Sequence, residues 1–457
     1  MSKPLDVTHG VRPHFPALAA NDFIFADNAG GSQILQSSID AITRYLVTSN
    51  VQLGGGYPHS REAARQVDKG KEAAAVLTNV QGGTEQIVIG SSTTQLASNL
   101  GYACALAGKT RGLFEANDEL SSLPQSTRLN LTIKYWLPTP LPDSDSPFAL
   151  ALSVSDLEPL LSANTRLVAF TAVSNLLGHR THVKDAVQLI KSKCGGRAMT
   201  VVDCVAYAPH GRMDMQEWDC DAVLFSFYKL FGPHLSCLAI SSSSPLSSTA
   251  LQSLGHYFHP QTPAYKLAPG GAPYELQVGC HPILPYLLSL SNEDDADPAQ
   301  RLVKAYERIQ AHEKTLSERM LAYLLSEQAR AKGVRVVGPE TAQDRVPTIS
   351  FVVIEQADSS GERVTYKKKV MSKDIVSRFD ATQKIGIKYG HFYSTKVMLC
   401  LPLDTSVTPD NLVFDKSSAW QPQPDEDGVV RISFVHYNTL EEVDAIVEQL
   451  KKVLEEL

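Results

Sequence analysis

Short apolar runs alternate with amphipathic stretches over the first two thirds of the chain. Four of these runs predict buried strands, at residues 166–173, 198–203, 222–226 and 235–241. The segment His182–Cys194 has apolar residues at helical spacing, and the glycine pair that follows predicts the end of that helix. Buried strands that alternate with amphipathic helices are typical of a mainly parallel sheet covered by helices. We therefore predict an α/β large domain.

The pattern changes near residue 290. A charged amphipathic segment from Asp297 to about Lys332 predicts one long helix or two, and strand-like pieces follow it. A last helix is predicted from Leu440, because Thr439 and Glu442 have capping-box spacing ahead of an apolar stripe. We predict a large domain over 17–290 and a smaller α+β domain from 1–16 and 291–457.

Composition narrows the classes of function. The net charge of −7 argues against a dedicated nucleic-acid binder. No apolar stretch approaches the ~20 residues of a membrane span, and the first residues lack an apolar signal region, which favours a cytoplasmic protein. The seven cysteines include no CxxC pair, so we expect reduced thiols and neither a metal site nor a thioredoxin-like site.

One lysine stands out, because it lies in an otherwise apolar stretch, FSFYKLFGPHL. This residue, Lys229, follows the end of a predicted strand, and Asp203 ends an earlier one. Ligands of parallel α/β sheets bind beyond the carboxyl ends of the strands, so both side chains are expected to face one pocket. Each of them alone is also consistent with a plain structural ion pair.

Pyridoxal phosphate chemistry needs the residue types found here. A lysine holds the aldehyde, a carboxylate keeps the pyridine nitrogen protonated, and hydroxyls at a helix start bind the phosphate. Ser92, Thr93 and Thr94 follow the predicted strand EQIVIG at the start of a helical pattern. The alternative for these hydroxyls is an ordinary helix N-cap.

Four blocks of the chain resemble those of the class V aminotransferases, a fold-type I group of pyridoxal phosphate enzymes that includes the cysteine desulfurases. The blocks are FADNAGGSQ (25–33), VVDCVAYAPHG (201–211), FSFYKLFGPH (225–234) and VRISFVHYNTLEEV (430–443). The resemblance runs from about Val11 to the C-terminus. The chain is most similar to a cysteine-desulfurase-like subgroup that includes a fungal decarboxylative aldolase of ustiloxin biosynthesis. The fold implied is a large domain with a mainly parallel, seven-stranded type of sheet and a smaller α+β domain.

The resemblance implies cofactor contacts. Lys229 would form the Schiff base and later move the proton at Cα, Asp203 would pair with the pyridinium nitrogen, and Val205 would pack on the ring. Asn175 would reach the ring hydroxyl. The phosphate would be held by Ser92, Thr93, Thr94, Ser226 and Tyr228, and in a homodimer by Gly271 of the partner's Ala268–Glu275 loop.

The resemblance also implies a substrate end. Arg431 would clamp the α-carboxylate in two-pronged fashion, and Asn28, Ala29 and Gly30 would line the same end. The alternative for Arg431 is a surface ion pair. Arg61, Arg180 and His256 are candidates for a second carboxylate, and each has a structural alternative.

Three positions depart from the family pattern. Desulfurases carry a mobile cysteine where this chain has Tyr393, within KYGHFYS. Tyr393 and His391 are candidates for substrate contact, the alternative being that both only pack the lid. Phe114 stands where the family has a histidine stacked on the cofactor ring, which keeps an aromatic face and loses the proton chemistry of a histidine. Ala206 replaces a glutamine of the desulfurases.

The leading hypothesis is a homodimeric pyridoxal phosphate enzyme that acts at Cβ of a small L-amino acid. L-Aspartate would lose its β-carboxylate, and the resulting enamine would attack an aldehyde. The alternatives are a cysteine desulfurase or lyase with an unusual thiol, a transaminase, and a non-catalytic protein that keeps the fold. The first alternative needs an accessible thiol of low pKa.

Overall fold

The fold comes from a computed structural model that describes residues 4–106, 113–114, 134–248, 262–293, 296–355, 364–403 and 427–456. Sixteen α-helices lie in these ranges, α1 to α16: Pro16–Ala20, Gln36–Thr48, Pro58–Thr78, Thr93–Leu106, Val154–Leu157, Val183–Cys194, Met215–Trp218, Pro245–Ser248, Pro263–Leu267, Tyr274–Cys280, Ile283–Ser289, Pro298–Leu324, Glu327–Ala331, Ser372–Asp380, Thr395–Cys400 and Leu440–Glu455. The strands β1 to β15 are Ile24–Phe25, Ile87–Gly90, Leu113–Phe114, Thr139–Pro140, Leu150–Ala151, Leu167–Thr171, Met199–Asp203, Ala222–Ser226, Ser236–Ile240, Val334–Val337, Thr348–Ile354, Lys368–Val370, Ile385–Gly386, Lys388–Gly390 and Val429–Ser433.

The large sheet has six strands within the described residues, in the order β2-β9-β8-β7-β6-β3. Pairs β3–β6, β6–β7 and β7–β8 are parallel, whereas β9 runs antiparallel to both of its neighbours. Five strands therefore share one direction, which confirms the predicted mainly parallel sheet. The residues of β7, β8 and β9 are all buried, as expected where helices cover both faces.

The second sheet is antiparallel. Its order is β10-β11-β15-β14, and β12 pairs with β11. The predicted capping box is present at the start of α16, where the Thr439 hydroxyl accepts from the Glu442 amide and the Glu442 side chain accepts from the Thr439 amide. The stripe from Val443 to Leu454 packs in the core of this sheet.

The long helix α12 joins the two cores. Leu302 and Ile309 pack with the large sheet, and Leu316 and Leu324 pack with the small one. The two sheets thus meet along a continuous element, and the carboxyl ends of the large sheet face β14 and β15 across a cleft. The boundaries at 16/17 and 290/291 stay a prediction. No helix among the described residues has the length and apolar character to cross a membrane.

Candidate active site

The carboxyl ends of β7 and β8 bring Asp203 and Lys229 to the same cavity. Asp203 is the last residue of β7, and Lys229 lies in the turn that follows β8. Both side chains are nearly buried, with 6% and 9% exposure. An amine and a carboxylate that line one cavity at the carboxyl ends of neighbouring strands are the arrangement expected of a ligand site in such a sheet.

The Lys229 turn is held from an N-terminal segment. The Ser32 hydroxyl donates to the Lys229 carbonyl oxygen at 2.9 Å and accepts from the Phe231 amide at 3.0 Å. Phe231 has a φ of +64°, a conformation that a bulky residue adopts only when its surroundings impose it. Ser32 therefore fixes the backbone from which the lysine side chain projects.

Asp203 is fixed in a similar way. Its Oδ1 accepts from the Val205 amide at 2.8 Å, so the chain turns sharply after β7 and carries Val205 and Ala206 along the cavity. At the start of α4, the Ser92 hydroxyl accepts from the Gln95 amide at 3.1 Å, which makes Ser92 the N-cap. We call Asp203, Val205, Lys229 and the hydroxyls of 92–94 the cofactor wall.

The cavity has a volume of about 320 Å³. It brings together twelve of the residues predicted from the sequence: Ala29, Gly30, Ser92, Thr93, Thr94, Asn175, Asp203, Val205, Tyr228, Lys229, Tyr393 and Arg431. Lys388, Phe392 and Ser394 complete the side opposite the cofactor wall. We call Ala29, Gly30, Lys388, Arg431 and 392–394 the substrate wall.

Four predicted residues do not line this cavity, and three need correction. The Asn28 side chain turns away, because its amide donates to the Ser433 carbonyl oxygen at 2.9 Å and its oxygen accepts from the Tyr437 hydroxyl. The Ser226 hydroxyl is buried against that of Ser236 at 3.0 Å. His391 uses its Nδ1 to accept from the Tyr393 amide at 3.2 Å, which closes a turn.

The fourth, Gly271, lies in an exposed turn at a φ of +72°, outside the cavity of its own chain. Two candidates for a second carboxylate are placed elsewhere. Arg180 donates to the His210 carbonyl oxygen at 3.1 Å, and Arg61 donates to the Gly56 carbonyl oxygen. His256 and the side chain of Phe114 lie outside the described residues.

Arg431 dominates the substrate wall. It is 2% exposed, and its Nη2 donates to Asp27 Oδ1 at 2.8 Å. Its Nη1 donates to the Asn175 carbonyl oxygen at 3.2 Å, and the guanidinium lies 3.7 Å from the centre of the Phe392 ring. Burial lowers the pKa of Arg431, and the Asp27 carboxylate opposes that shift.

One donor of this guanidinium is unused. Arg431 Nε is buried and has no hydrogen-bond partner among the described residues. A buried donor without an acceptor costs free energy. The assignment of Arg431 as the clamp of a substrate carboxylate stays a prediction, which the unpaired Nε beside the cavity is consistent with.

The loop after β14 has an unusual backbone. Phe392 and Tyr393 have φ values of +51° and +61°, and Tyr393 is 69% exposed. Asn175 secures the loop, since its amide nitrogen donates to the Phe392 carbonyl oxygen at 2.7 Å and its oxygen accepts from Ser394 at 2.8 Å. The predicted contact of Asn175 with the ring hydroxyl of the cofactor stays a prediction.

Sequence reasoning missed nine residues at or behind the cavity: Asp27, Ser32, Thr171, Val173, Ser174, Lys388, Phe392, Ser394 and Val397. Asp27 stands beside Asn28 in the FADNAGGSQ block, and its place before a run of small residues was the available signal. For Phe392 and Ser394 the sequence held no signal, because their positions follow from left-handed backbone at Phe392 and Tyr393, which bulky aromatic residues rarely adopt.

The residues of the cavity fit pyridoxal phosphate. A buried amine and a buried carboxylate face the same space, and hydroxyls lie at the N-terminus of a helix of 14 residues. The helix dipole and its free amides favour a phosphate there. Clusters of three or more metal-binding side chains are absent from the described ranges.

Known proteins resemble the chain over its whole length. Residues 24–446 match the family described as Aminotransferase class-V. An aminotransferase-like protein, FGM3 of Gibberella zeae, is 35% identical, with 97% of this chain and 98% of that protein covered. The cysteine desulfurase-like protein ustD of Aspergillus flavus is 32% identical, with coverages of 97% and 90%. The cysteine desulfurase of Thermococcus onnurineus superposes with a TM-score of 0.74 at 19% identity over both full chains.

Proposed function

The chain belongs to the aminotransferase class-V family and is a pyridoxal phosphate-dependent enzyme, and we propose that it acts at Cβ of a small L-amino acid. The substrate we propose is L-aspartate, which loses its β-carboxylate as CO2 and whose β-carbon then forms a bond to an aldehyde. The observation that carries this proposal is a single cavity lined by a buried lysine, a buried aspartate and a buried arginine, with Tyr393 and no cysteine among its lining residues in the described part of the chain.

Each wall has its own task in this proposal. Lys229 binds the cofactor aldehyde and moves the proton at the substrate Cα, Asp203 holds the proton of the pyridine nitrogen, and the hydroxyls of 92–94 take the phosphate. Pyridoxal phosphate supplies the electron sink for bonds at Cα and Cβ. Arg431 orients the substrate through its α-carboxylate, and Phe392 covers the guanidinium and excludes water from it.

A homodimer is part of the proposal. The turn that contains Gly271 is exposed and lies outside the cavity of its own chain. In the dimer we propose, this turn completes the phosphate site of the partner.

Cysteine desulfuration is the second candidate, because relatives carry that name. Six of the seven cysteines are buried, and burial raises the pKa of Cys104 to about 12. The seventh, Cys400, donates to the Lys396 carbonyl oxygen at 3.3 Å within α15 and does not line the cavity. Sulfur transfer needs an accessible thiolate, so these contacts favour the carbon–carbon reaction.

The test is alanine formation by the purified, cofactor-loaded protein from L-aspartate and from L-cysteine in parallel. We expect alanine and CO2 from aspartate, and less alanine when an aldehyde is added, because the β-carbon then bonds to the aldehyde instead of taking a proton. Lys229→Ala is the control for background reaction. Alanine from cysteine alone would replace this proposal with a sulfur enzyme, and no product from either would refute the choice of aspartate.

A further inference from the structure

A second cation stands beside Arg431 on the substrate wall. The edge strand β14 pairs antiparallel with β15, and the residue directly opposite Arg431 is Lys388. Directly opposed residues of an antiparallel pair project from the same face, with β-carbons about 4.5–5.5 Å apart. Both residues line the same cavity, so two positive side chains face the space in which the substrate would bind.

The charges at this place do not balance within the protein. Asp27 pairs with Arg431 at 2.8 Å, whereas Lys388 is exposed and forms no ion pair with any carboxylate in the described part of the chain. Like charges opposite one another in a sheet are destabilising. Two cations and one carboxylate leave a net positive charge that an anionic ligand would neutralise.

The cofactor phosphate is an unsuitable partner for this charge. The hydroxyls that fit the phosphate, at 92–94, lie at the start of α4, which packs on the large sheet. Lys388 comes from the small sheet, and its side chain extends beside Arg431. An anion that contacts both Lys388 and Arg431 therefore belongs to the substrate.

We propose that Lys388 binds the side-chain carboxylate of a dicarboxylic amino acid while Arg431 binds its α-carboxylate. This inference rests on the proposed function and deepens it, because it assigns a residue that selects acidic substrates. Arg61 and Arg180, the sequence-based candidates for this role, are both bonded outside the cavity. CO2 is uncharged, so the attraction of Lys388 ends when the carboxylate leaves.

Calorimetric titration of the cofactor-loaded protein with succinate and with butyrate tests the proposal. The two probes have equal chain length and differ by one carboxylate. Lys388→Ala is expected to weaken succinate binding about tenfold, which corresponds to one charge-assisted hydrogen bond of about 1.4 kcal/mol. Butyrate binding should change less than about twofold by the same reasoning, and Lys388→Arg should restore most of the succinate affinity.

Lys384→Ala is the matched control. Lys384 is an exposed lysine of the same domain that does not line the cavity, so its removal changes the net charge equally. Equal weakening of both probes by Lys388→Ala, or of succinate by Lys384→Ala, would overturn the inference, as would equal affinity of the unaltered protein for the two probes.

Steady-state kinetics with L-aspartate distinguish a failure of this inference from a failure of the proposed function. With L-aspartate as substrate, Lys388→Ala should raise KM about tenfold while kcat stays equal or rises, because the contact is made with the bound carboxylate and weakens as CO2 forms. If succinate binding depends on Lys388 but the protein does not convert aspartate, the proposed reaction is refuted and the inference about Lys388 stands. Aspartate turnover with the same KM in Lys388→Ala would do the reverse.

Discussion

The two walls of the cavity are built by different means. The cofactor wall consists of residues at the ends of buried strands and at the start of a long helix. All of these residues lie in the large domain, between positions 92 and 229. The substrate wall joins three distant segments, and its ion pair between Asp27 and Arg431 spans 404 residues. Regular packing fixes the first wall, and tertiary hydrogen bonds fix the second.

The difference has a physical consequence. A strand end surrounded by core can hold a charged side chain in place because the neighbouring strands fix its backbone. On the substrate wall, left-handed backbone at Phe392 and Tyr393 costs about 1–2 kcal/mol for each residue. Asn175 offsets that cost through its two hydrogen bonds to the loop. The substrate wall is therefore the part that sequence changes can remodel without loss of the cofactor wall.

The largest loss of activity is expected from a substitution in the cofactor wall. Lys229→Ala removes the amine that binds the cofactor and moves the Cα proton, and activity should fall by at least about 10²–10⁴-fold. The visible absorbance of the bound cofactor should shift or disappear. Absorbance spectra and single-turnover rates measure both effects, and an unchanged spectrum would contradict the assignment.

Arg431→Lys should have the next largest effect. Lysine keeps the charge but cannot offer two parallel donors, and it leaves Asp27 without its present partner. We expect kcat/KM to fall about 10–100-fold, the value of one or two charge-assisted hydrogen bonds, with the cofactor spectrum intact. Steady-state kinetics beside absorbance separate the two walls; loss of the cofactor in this variant would show that they are not independent.

The strand ends could be predicted because their signals are local. Continuous apolar runs of five or six residues ended at Asp203 and just before Lys229, and parallel neighbours place such ends at one edge. Asn28 could not be placed, because it lies in a turn closed by the Gly30 amide and the Asp27 carbonyl oxygen, where no regular alternation of side chains applies. The pairing of Lys388 with Arg431 depends on sheet register between distant segments of the chain, and no local sequence pattern predicts that register.

Acidic pH should lower the free energy of unfolding, because two buried histidines have lowered pKa values in the folded protein. Burial lowers the pKa of His179 to about 4 and that of His436, three residues after β15, to about 3. The unfolded state takes up protons that these rings exclude when folded, so stability is lost as pH falls from about 6.5 toward those values. The free energy of unfolding should drop about 1.4 kcal/mol per pH unit for each ring.

Urea unfolding at pH 7 and pH 5 checks this expectation. Replacement of one ring, as in His179→Asn, should make the difference between the two pH values smaller by about 2 kcal/mol. The same difference in the variant and in the unaltered protein would show that His179 is not the group responsible.

The smallest predicted effect is a change in the free energy of unfolding caused by a substitution in the loop that contains Phe392 and Tyr393. Tyr393→Gly should raise the free energy of unfolding by about 0.5–1 kcal/mol, because glycine adopts positive φ freely and the exposed phenol buries little surface. Tyr389→Gly is the control, since Tyr389 lies in β14 without a positive φ, and the same change should lower stability by about 0.5–1 kcal/mol. Equal changes in the two variants would argue against backbone strain at Tyr393.

The identity of the lysine that carries the cofactor tests the account most directly. Borohydride reduction of the loaded protein fixes the link between cofactor and amine, and peptide mass spectrometry then locates the pyridoxyl group. We predict the label on Lys229 alone, with Lys388 unlabelled. A label on Lys388, or on any lysine outside the cavity, would contradict the assignment of the two walls.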